Sequence, residues 1–220
     1  MLNVAIDGPA GAGKSTVAKA IAARRGMLYL DTGALYRAIG LYALESGADT
    51  RDEAALEALL PEIDVALRFV DGEQRVLLCG RDVSDEIRAP EVSMAASDVS
   101  ALPAVRAFLL GLQRDIAAKN DCVMDGRDIG TVILPDADLK IFLTASAEER
   151  ARRRVAQLAE KGIEADFATV VEEIRLRDEN DSTREIAPLK PAPDAFVVDT
   201  TDMTFEQVVS LISGMIGELV

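Results

Sequence analysis

Eight residues near the N-terminus, 8–15, restrict the fold and chemistry of this chain more than any other segment. They read Gly-Pro-Ala-Gly-Ala-Gly-Lys-Ser and fill every fixed position of the pattern G-x-x-x-x-G-K-[ST]. An apolar strand is predicted before them at 4–6 and a helix after them at 15–25, which is the order that a phosphate-binding loop requires. Glycines let the backbone N–H groups wrap around a polyphosphate, because no Cβ atom blocks the close approach. We predict a nucleoside triphosphate site formed by Gly8, Pro9, Ala10, Gly11, Ala12, Gly13, Lys14, Ser15 and Thr16.

Two side chains of this loop have definite roles in such a site. Lys14 can reach the β- and γ-phosphate oxygens, and the Ser15 hydroxyl can ligate Mg²⁺. The alternative is a glycine-rich turn that fits the pattern by coincidence, which does not explain why a strand and a helix flank it in the required order. A triphosphate site does not by itself say what the nucleotide is used for.

Composition excludes several function classes. The net charge of −14 argues against nucleic acid as the main partner, because proteins that bind it usually carry a basic face. An acidic protein that handles phosphates must therefore concentrate its positive charge locally. The chain has no His, which excludes imidazole metal sites and His-based catalytic triads.

The remaining bulk features predict a soluble protein of the cytoplasm that binds no membrane. Cys79 and Cys122 show no metal-binding spacing, and we expect both to be buried, inert thiols in a reducing compartment. Only three residues precede the first apolar run, which leaves no room for a signal peptide. No apolar run approaches the roughly 18 residues of a membrane span.

The order of predicted elements indicates an α/β fold. Strand 4–6, helix 15–25, strand 27–30 and a helix through about 44 predict a parallel sheet covered on both faces. Between about 49 and 100 the rhythm breaks: a short helix at 53–60 is followed by strands 65–70 and 75–79 on either side of Asp71-Gly72, a strong hairpin signal. Further predicted elements are helices 91–100 and 103–119, strands 122–124 and 139–143, helices 147–161 and 167–177, strand 195–198 and helix 204–219.

Missing motifs narrow the class of phosphate-loop protein. A guanine-nucleotide switch would normally carry an N-K-x-D tetrapeptide, and a transporter ATPase a Ser-Gly-Gly signature; neither occurs. A kinase of a small molecule instead needs a second pocket that faces the γ-phosphate, with arginines that neutralise the transferring group. Arginines follow two of the predicted buried strands, at Arg37 and Arg127.

Four blocks of the sequence resemble the bacterial cytidylate kinases, a branch of the nucleoside monophosphate kinases. They are residues 7–15, 30–37, 125–131 and 177–189, in the order that this family has them. The resemblance implies a three-layer α/β/α fold with a central parallel five-stranded sheet, a monophosphate-binding insertion containing a small antiparallel hairpin, and a helical lid. We expect a single domain, 1–220, with its core at 1–36, 104–147 and 186–220, the insertion at about 37–103 and the lid at about 148–185.

The second block predicts a grip on an acceptor phosphate. Arg37 lies in the first turns of a predicted helix that follows a buried strand, and its forked guanidinium suits a monophosphate. The alternative is an arginine that faces solvent. The resemblance implies that Arg37 holds the acceptor phosphate and that Thr32 and Tyr36 line the same pocket; Thr32 stands where the family often has Ser.

The third block supplies acidic and basic groups at the end of another buried strand. Asp125 lies where phosphate-loop proteins place the acid that orients the magnesium shell through water, and Arg127 is placed for phosphate. The resemblance implies that Asp128, with Ser97 and Arg106, reads the cytosine edge. Uracil would place a carbonyl against the Asp128 carboxylate and leave both acceptors unpaired, so uridylate should be rejected. For Ser97 the alternative is a serine merely tolerated in a helix.

Seven arginines between 150 and 184 predict a local positive field. Arg150, Arg152, Arg153 and Arg154 share one helix with several glutamates, and most of them should simply pair on a solvated face. Family spacing favours Arg150 and Arg154 as the residues that reach ATP. The resemblance further implies that Arg177 and Asp181 hold the pentose hydroxyls and that Arg184 grips the transferring phosphate.

The resemblance implies transfer of the γ-phosphoryl group of ATP to CMP or dCMP, within pyrimidine nucleotide metabolism. Lys14, Arg127 and Arg184 would be catalytic, Mg²⁺ would accompany ATP as co-substrate, and we expect a monomer. Two alternatives stay open from the residues alone: a kinase of uridylate, adenylate or shikimate, and a nucleotide-dependent switch without transferase activity.

Overall fold

The computed structural model describes residues 1–70, 73–160 and 162–219. It divides into two compact units: the first is Met1 with Leu28–Cys122, and the second is Leu2–Met27 with Val123–Val220. Two sequence expectations fall outside the described residues, namely the Asp71-Gly72 turn and the end of a helix at Lys161. The predicted bounds of core, insertion and lid stay a prediction.

The strands and helices alternate through most of the chain. The strands are β1 (Asn3–Asp7), β2 (Leu28–Asp31), β3 (Val65–Val70), β4 (Glu73–Leu78), β5 (Arg81–Asp82), β6 (Cys122–Gly126), β7 (Leu139–Thr144) and β8 (Phe196–Asp199). The helices are α1 (Lys14–Arg25), α2 (Thr32–Glu45), α3 (Glu53–Leu59), α4 (Pro90–Val99), α5 (Pro103–Lys119), α6 (Ala147–Glu160), α7 (Phe167–Thr183) and α8 (Phe205–Gly217).

Five strands form one sheet in the order β2-β6-β1-β7-β8. β1 and β7 pair in parallel with Ile6 opposite Ile141, and β7 and β8 pair in parallel with Leu143 opposite Val198. Every residue of β6 is buried, which is typical of parallel strands enclosed on both faces. The predicted central parallel sheet of five strands is confirmed.

A second, antiparallel sheet lies within the first unit. β3 pairs with β4 from Val65–Leu78 to Val70–Glu73, which confirms the predicted hairpin strands, and the short β5 adds a third strand that the sequence did not predict. β4 ends at Leu78, and Cys79 follows in a turn with a φ of 49°. The expectation that both cysteines are buried is therefore wrong for Cys79, which is exposed, and right for Cys122. Burial raises the pKa of the Cys122 thiol to about 12.

Two elements next to the predicted functional blocks differ from the sequence expectation. α7 continues to Thr183 rather than ending at 177, so Arg177 and Asp181 lie four residues apart on one helix. A short π-helical turn, Ile129–Ile133, follows β6 directly after Asp128. α7 has an N-cap at Asp166 but no capping signal at its C-terminal end, and the π-helical turn has no side-chain cap.

Within the described part of the chain, no single helix is long and apolar enough to cross a membrane. α4 and α5, which meet at a 99° bend, pass that test of length and composition only as a pair.

Candidate active site

The loop between β1 and α1 can be built only with glycine at its first position. Gly8 has a φ of +148°, and a Cβ atom there would lie 1.9 Å from the carbonyl oxygen of Leu143. Gly11 and Gly13 also have positive φ, the region that side-chain-bearing residues rarely adopt. α1 begins immediately afterwards at Lys14, so its first backbone N–H groups and the positive end of its dipole belong to the loop.

Lys14 is buried in this loop. Its Nζ donates a hydrogen bond of 2.8 Å to the carbonyl oxygen of Pro9. Burial, together with the positive charges of Arg127 and Arg177, lowers the pKa of Lys14 to about 7 against the opposing effect of Asp125. A bound polyphosphate would favour the charged ammonium again, since its own charge is opposite.

Ser15 and Asp125 meet at the end of β6. The Ser15 Oγ donates a hydrogen bond of 2.7 Å to Asp125 Oδ2, and Asp125 is 3% exposed. A hydroxyl and a carboxylate are oxygen ligands of the kind that Mg²⁺ prefers. Residues 1–70, 73–160 and 162–219 contain no group of three or more acidic, Cys or His residues that could hold a metal. Two protein groups beside phosphates nevertheless fit Mg²⁺, because this ion usually keeps several waters and substrate oxygens.

Asp7, the last residue of β1, is a polar group of this region that sequence reasoning missed. Its carboxylate accepts hydrogen bonds from the backbone N–H groups of Ile129 at 2.7 Å and Gly130 at 2.8 Å. Burial raises the pKa of Asp7 to about 6, although the two N–H groups oppose this effect. Asp7 thus ties the strand before the loop to the π-helical turn after Asp128. An acid directly after the apolar residues 4–6 was the signal that could have revealed it.

Four predicted residues converge around the end of β6 and α7. Arg127 Nε donates to Asp181 Oδ2 at 2.8 Å, and Arg184 Nη2 lies 3.8 Å from Asp128 Oδ1. Burial alone would raise the pKa of the Asp181 carboxyl, but Arg127, Arg177 and Arg184 outweigh it and hold that pKa below its usual range. The structure therefore brings together predicted residues that are 54 positions apart in the sequence, Arg127 and Asp181.

The four arginines of α6 divide into distinct environments. Arg150 is 4% exposed; its Nη1 donates to the Ala10 carbonyl oxygen at 3.0 Å, and its guanidinium pairs with both carboxylate oxygens of Asp178. Arg154 is exposed. Arg152 is also exposed and pairs with Glu149, as the interpretation of a solvated face predicts.

Arg153 contacts a segment that sequence reasoning did not connect with it. Its guanidinium donates to the backbone oxygen of Thr200 at 2.7 Å and to the Thr200 hydroxyl at 3.1 Å. A Cβ at Gly13 would lie 3.9 Å from Arg153 Nη1, so this side chain borders the phosphate loop. The sequence of α6 has four arginines within five residues, and it does not indicate which of their side chains faces the protein interior.

In the first unit, the turn from β2 to α2 organises the predicted acceptor residues. Asp31 is the N-cap of α2, with its carboxylate accepting from Ala34 N at 3.1 Å, and the same carboxylate binds Arg37 Nη2 at 2.6 Å. Thr32 and Tyr36 are buried in the first turns of this helix. Asp31 was not among the predicted site residues, although an Asp just before a helix is a typical capping signal.

The predicted base-reading residues of the first unit are only partly brought together. The Arg106 guanidinium lies over the Tyr36 ring, 5.8 Å from its centroid, and its Nη1 donates to the Ser100 carbonyl oxygen at 3.1 Å. Ser97 is half-buried in α4, and its backbone oxygen accepts from the Ser100 hydroxyl at 2.9 Å. Arg106 is thus held against an aromatic face, a cation–π arrangement.

Residues 4–218 match the family model described as cytidylate kinase. Among similar curated proteins, a cytidylate kinase of Caldicellulosiruptor saccharolyticus is 53% identical over 94% of this chain and 92% of its own length. A cytidylate kinase of Carboxydothermus hydrogenoformans is 51% identical over 98% of this chain and 97% of its own length. A cytidylate kinase of Pseudomonas aeruginosa is 53% identical over 95% of this chain and 92% of its own length.

Proposed function

This chain belongs to the cytidylate kinase family, and we propose that it transfers the γ-phosphoryl group of ATP to CMP or dCMP. The products are ADP and CDP or dCDP. The observation that carries the proposal is the phosphate loop with its buried Lys14 and the Ser15–Asp125 hydrogen bond, next to which Arg127 pairs with Asp181 and Arg184 lies 3.8 Å from Asp128. Such a cluster of positive charge in a protein of net charge −14 fits the transfer of a phosphoryl group.

The reaction needs no nucleophile from the protein. An oxygen of the acceptor phosphate attacks the γ-phosphorus in line, and ADP leaves with the electrons of the broken P–O bond. Lys14 holds the β- and γ-phosphates, while Arg127 and Arg184 neutralise the charge on the transferring group. Ser15 would hold Mg²⁺, with Asp125 orienting its shell through water, and the ion would supply further charge neutralisation together with ATP.

We assign the following acceptor roles within each unit, taken by itself. In the first unit, Arg37 binds the acceptor phosphate with Thr32 and Tyr36 beside it, and Ser97 and Arg106 read the base. In the second unit, Asp128 accepts a hydrogen bond from the cytosine amine, Arg177 and Asp181 hold the pentose hydroxyls, and Arg127 and Arg184 bind phosphate. Each guanidinium named here can offer a fork of N–H donors to a phosphate or a planar base edge.

ATP is assigned to residues 8–16 with Arg150 and Arg154 from α6. The hydrogen bond of Arg150 to the Ala10 carbonyl oxygen supports its place beside the triphosphate. We further propose that the protein acts as a monomer in the cytoplasm, within pyrimidine nucleotide metabolism. The acidic net charge supports small-molecule substrates rather than nucleic acid or membrane as partners.

A panel of acceptors tests this proposal. Initial rates of ADP release with ATP and Mg²⁺ would be measured with CMP, dCMP, UMP, AMP and shikimate. We expect kcat/KM for CMP or dCMP to exceed that of every other acceptor by at least about a hundredfold, because rejected bases leave buried polar groups unpaired. Equal rates for all acceptors, or ADP release that is independent of CMP, would contradict the proposal.

The base-reading part of the proposal is tested in the same assay by Asp128→Ala. Removing the carboxylate should lower the ratio of kcat/KM for CMP over UMP by about tenfold or more, since uracil then meets no opposing acceptor. Asp136→Ala, at an exposed aspartate of the loop before β7, is the matched control and should leave the ratio unchanged. An unchanged ratio in Asp128→Ala would show that another group reads the base.

A further inference from the structure

We infer that Gln74, a residue of β4 outside all four motif blocks, is a positioning residue for Arg37 and thereby for the acceptor phosphate. This inference rests on the proposed function. The Gln74 amide lies on the same face of β4 as two core residues. Side chains alternate along a strand, so Gln74 shares its face with Val76 and Leu78, both 2% exposed. A polar residue on such a face requires specific partners.

The Gln74 amide makes hydrogen bonds with two backbone groups of one residue, Asp31. Asp31 N donates to Gln74 Oε1 at 2.8 Å, and Gln74 Nε2 donates to the Asp31 carbonyl oxygen at 3.1 Å. An amide side chain has one acceptor and a donor side by side, so it imitates the edge of a neighbouring strand. The pair fixes the peptide groups of Asp31 in two directions, at the last residue of β2 and immediately before α2 begins.

The Asp31 side chain connects this restrained backbone to Arg37. One carboxylate oxygen caps α2 at Ala34 N, and the other binds Arg37 Nη2 at 2.6 Å. The side chains of Asp31 and Arg37 are 19% and 23% exposed, so the pair is largely shielded from water. Arg37 Nε is buried and has no hydrogen-bond partner among the residues that the structure describes. Asp31 therefore orients the Arg37 guanidinium through Nη2. The orientation of this guanidinium depends on the position of the Asp31 carboxylate.

A purely structural role for Gln74 would stabilise the fold without a specific effect on one substrate. The link through Asp31 instead predicts an effect on the acceptor alone, because Arg37 is assigned to the acceptor phosphate and not to ATP. A displacement of about 1 Å in such a group can lower a rate about a hundredfold. The expected kinetic signature is an increased KM for CMP with an unchanged KM for ATP.

The test compares Gln74→Met with Gln113→Met in the full-length protein. Both substitutions replace a Gln by a residue of similar length and remove side chain–backbone hydrogen bonding in the first unit; Gln113 Nε2 donates within α5, to the Leu109 carbonyl oxygen at 3.0 Å. We expect Gln74→Met to raise KM for CMP about tenfold and to change KM for ATP by less than about twofold. Gln113→Met should leave both constants near the wild-type values. Gln74→Asn, which keeps the amide but shortens its reach by one methylene, is the second variant and should behave like Gln74→Met.

A double-mutant cycle separates positioning from general destabilisation. In the Arg37→Met background, Gln74→Met should raise KM for CMP no further, because the residue through which it acts is gone. An additive effect in that background would overturn the inference, as would a KM for CMP within about twofold of wild type in both Gln74 variants. A parallel rise of KM for ATP would also overturn it.

A measurement without substrate keeps this inference separate from the proposed function. The Nε–H signal of Arg37, identified by its loss in Arg37→Met, should exchange slowly with solvent in the wild-type protein and in Gln113→Met, because Nε is buried. It should exchange about tenfold faster in Gln74→Met. If the wild-type protein does not phosphorylate CMP but the exchange accelerates, the proposed function fails and the positioning role stands; unchanged exchange overturns the role.

Discussion

Several charged side chains are buried in this protein, whose acidic residues outnumber its basic residues. Asp7, Lys14, Asp125 and Asp181 are all less than 10% exposed, and each has hydrogen-bond partners around the ends of β1, β6 or α7. Burial disfavours the charged form of each group. The cost is tolerated where the group has a task, which is why perturbed pKa values concentrate at functional sites.

Asp7 gives a pH dependence with a definite sign. Its pKa is raised from 3.8 to about 6, so the folded protein binds this proton more tightly than the unfolded chain does. The stability that Asp7 contributes is full below about pH 3.8 and is lost as the pH rises through about 6. Relative to Asp7→Asn, the wild-type free energy of unfolding should fall by up to about 3 kcal/mol between about pH 4 and pH 7.

Urea unfolding of both proteins across this range measures the difference. The control is Asp166→Asn, at an exposed N-cap whose pKa is lowered because Thr169 N–H donates to it. Its contribution should have the opposite sign, present above the ordinary pKa and lost in acid. A wild-type protein that gains stability over Asp7→Asn as the pH rises would show that the two N–H bonds outweigh burial.

At the scale of elements, the junction of β1 with α1 depends on glycine geometry, whereas other glycines are replaceable. Gly8 brings the chain against the backbone of β7, and its positive φ excludes a strain-free side chain. Gly111, in the middle of α5, has open space where its Cβ would be, as far as the described residues show, apart from the backbone of its own helix. Replacement by Ala should therefore have opposite effects on stability at these two positions.

Gly8→Ala should destabilise the protein by about 3 kcal/mol, because the new Cβ meets a carbonyl oxygen that belongs to a buried strand. Gly111→Ala should stabilise it by about 0.5–1 kcal/mol, since Ala restricts the unfolded chain and favours the helix. Urea denaturation followed by circular dichroism measures both changes. Equal midpoints for wild type and Gly8→Ala would contradict the geometry at this junction.

At the scale of the whole molecule, the two units carry different parts of the proposed chemistry. The phosphate loop, Asp125 and α7 belong to the second unit, whereas the Asp31–Arg37 pair and the Tyr36–Arg106 contact belong to the first. The first unit has its own hydrophobic core, which includes Leu35, Leu56, Val76 and Leu109. The first unit can therefore order Arg37, Tyr36 and Arg106 from within.

Backbone hydrogen exchange should distinguish the residues assigned to ATP in the second unit from the residues assigned to the acceptor in the first unit. A non-hydrolysable ATP analogue should slow backbone exchange in residues 8–16, and CMP alone should slow it in residues 32–37 and 97–106, because bound groups restrict local opening. α8 is the internal reference and should not change with either ligand. Protection by CMP confined to residues 8–16 would contradict the assignment of the acceptor.

Sequence patterns alone determined the local features of this protein. The glycine loop, the parallel strands, the hairpin strands β3 and β4 and the family blocks all have local signals, because backbone geometry and side-chain alternation act over a few residues. Only the tertiary structure decided which polar groups meet: Arg127 with Asp181, Arg150 with Ala10 and Asp178, Asp7 with the turn after Asp128, and Gln74 with Asp31. It also exposed Cys79 and turned Arg153, rather than its neighbours, towards Thr200. Partners that are tens of residues apart leave no periodic trace in one sequence, because their contact depends on how separate elements pack.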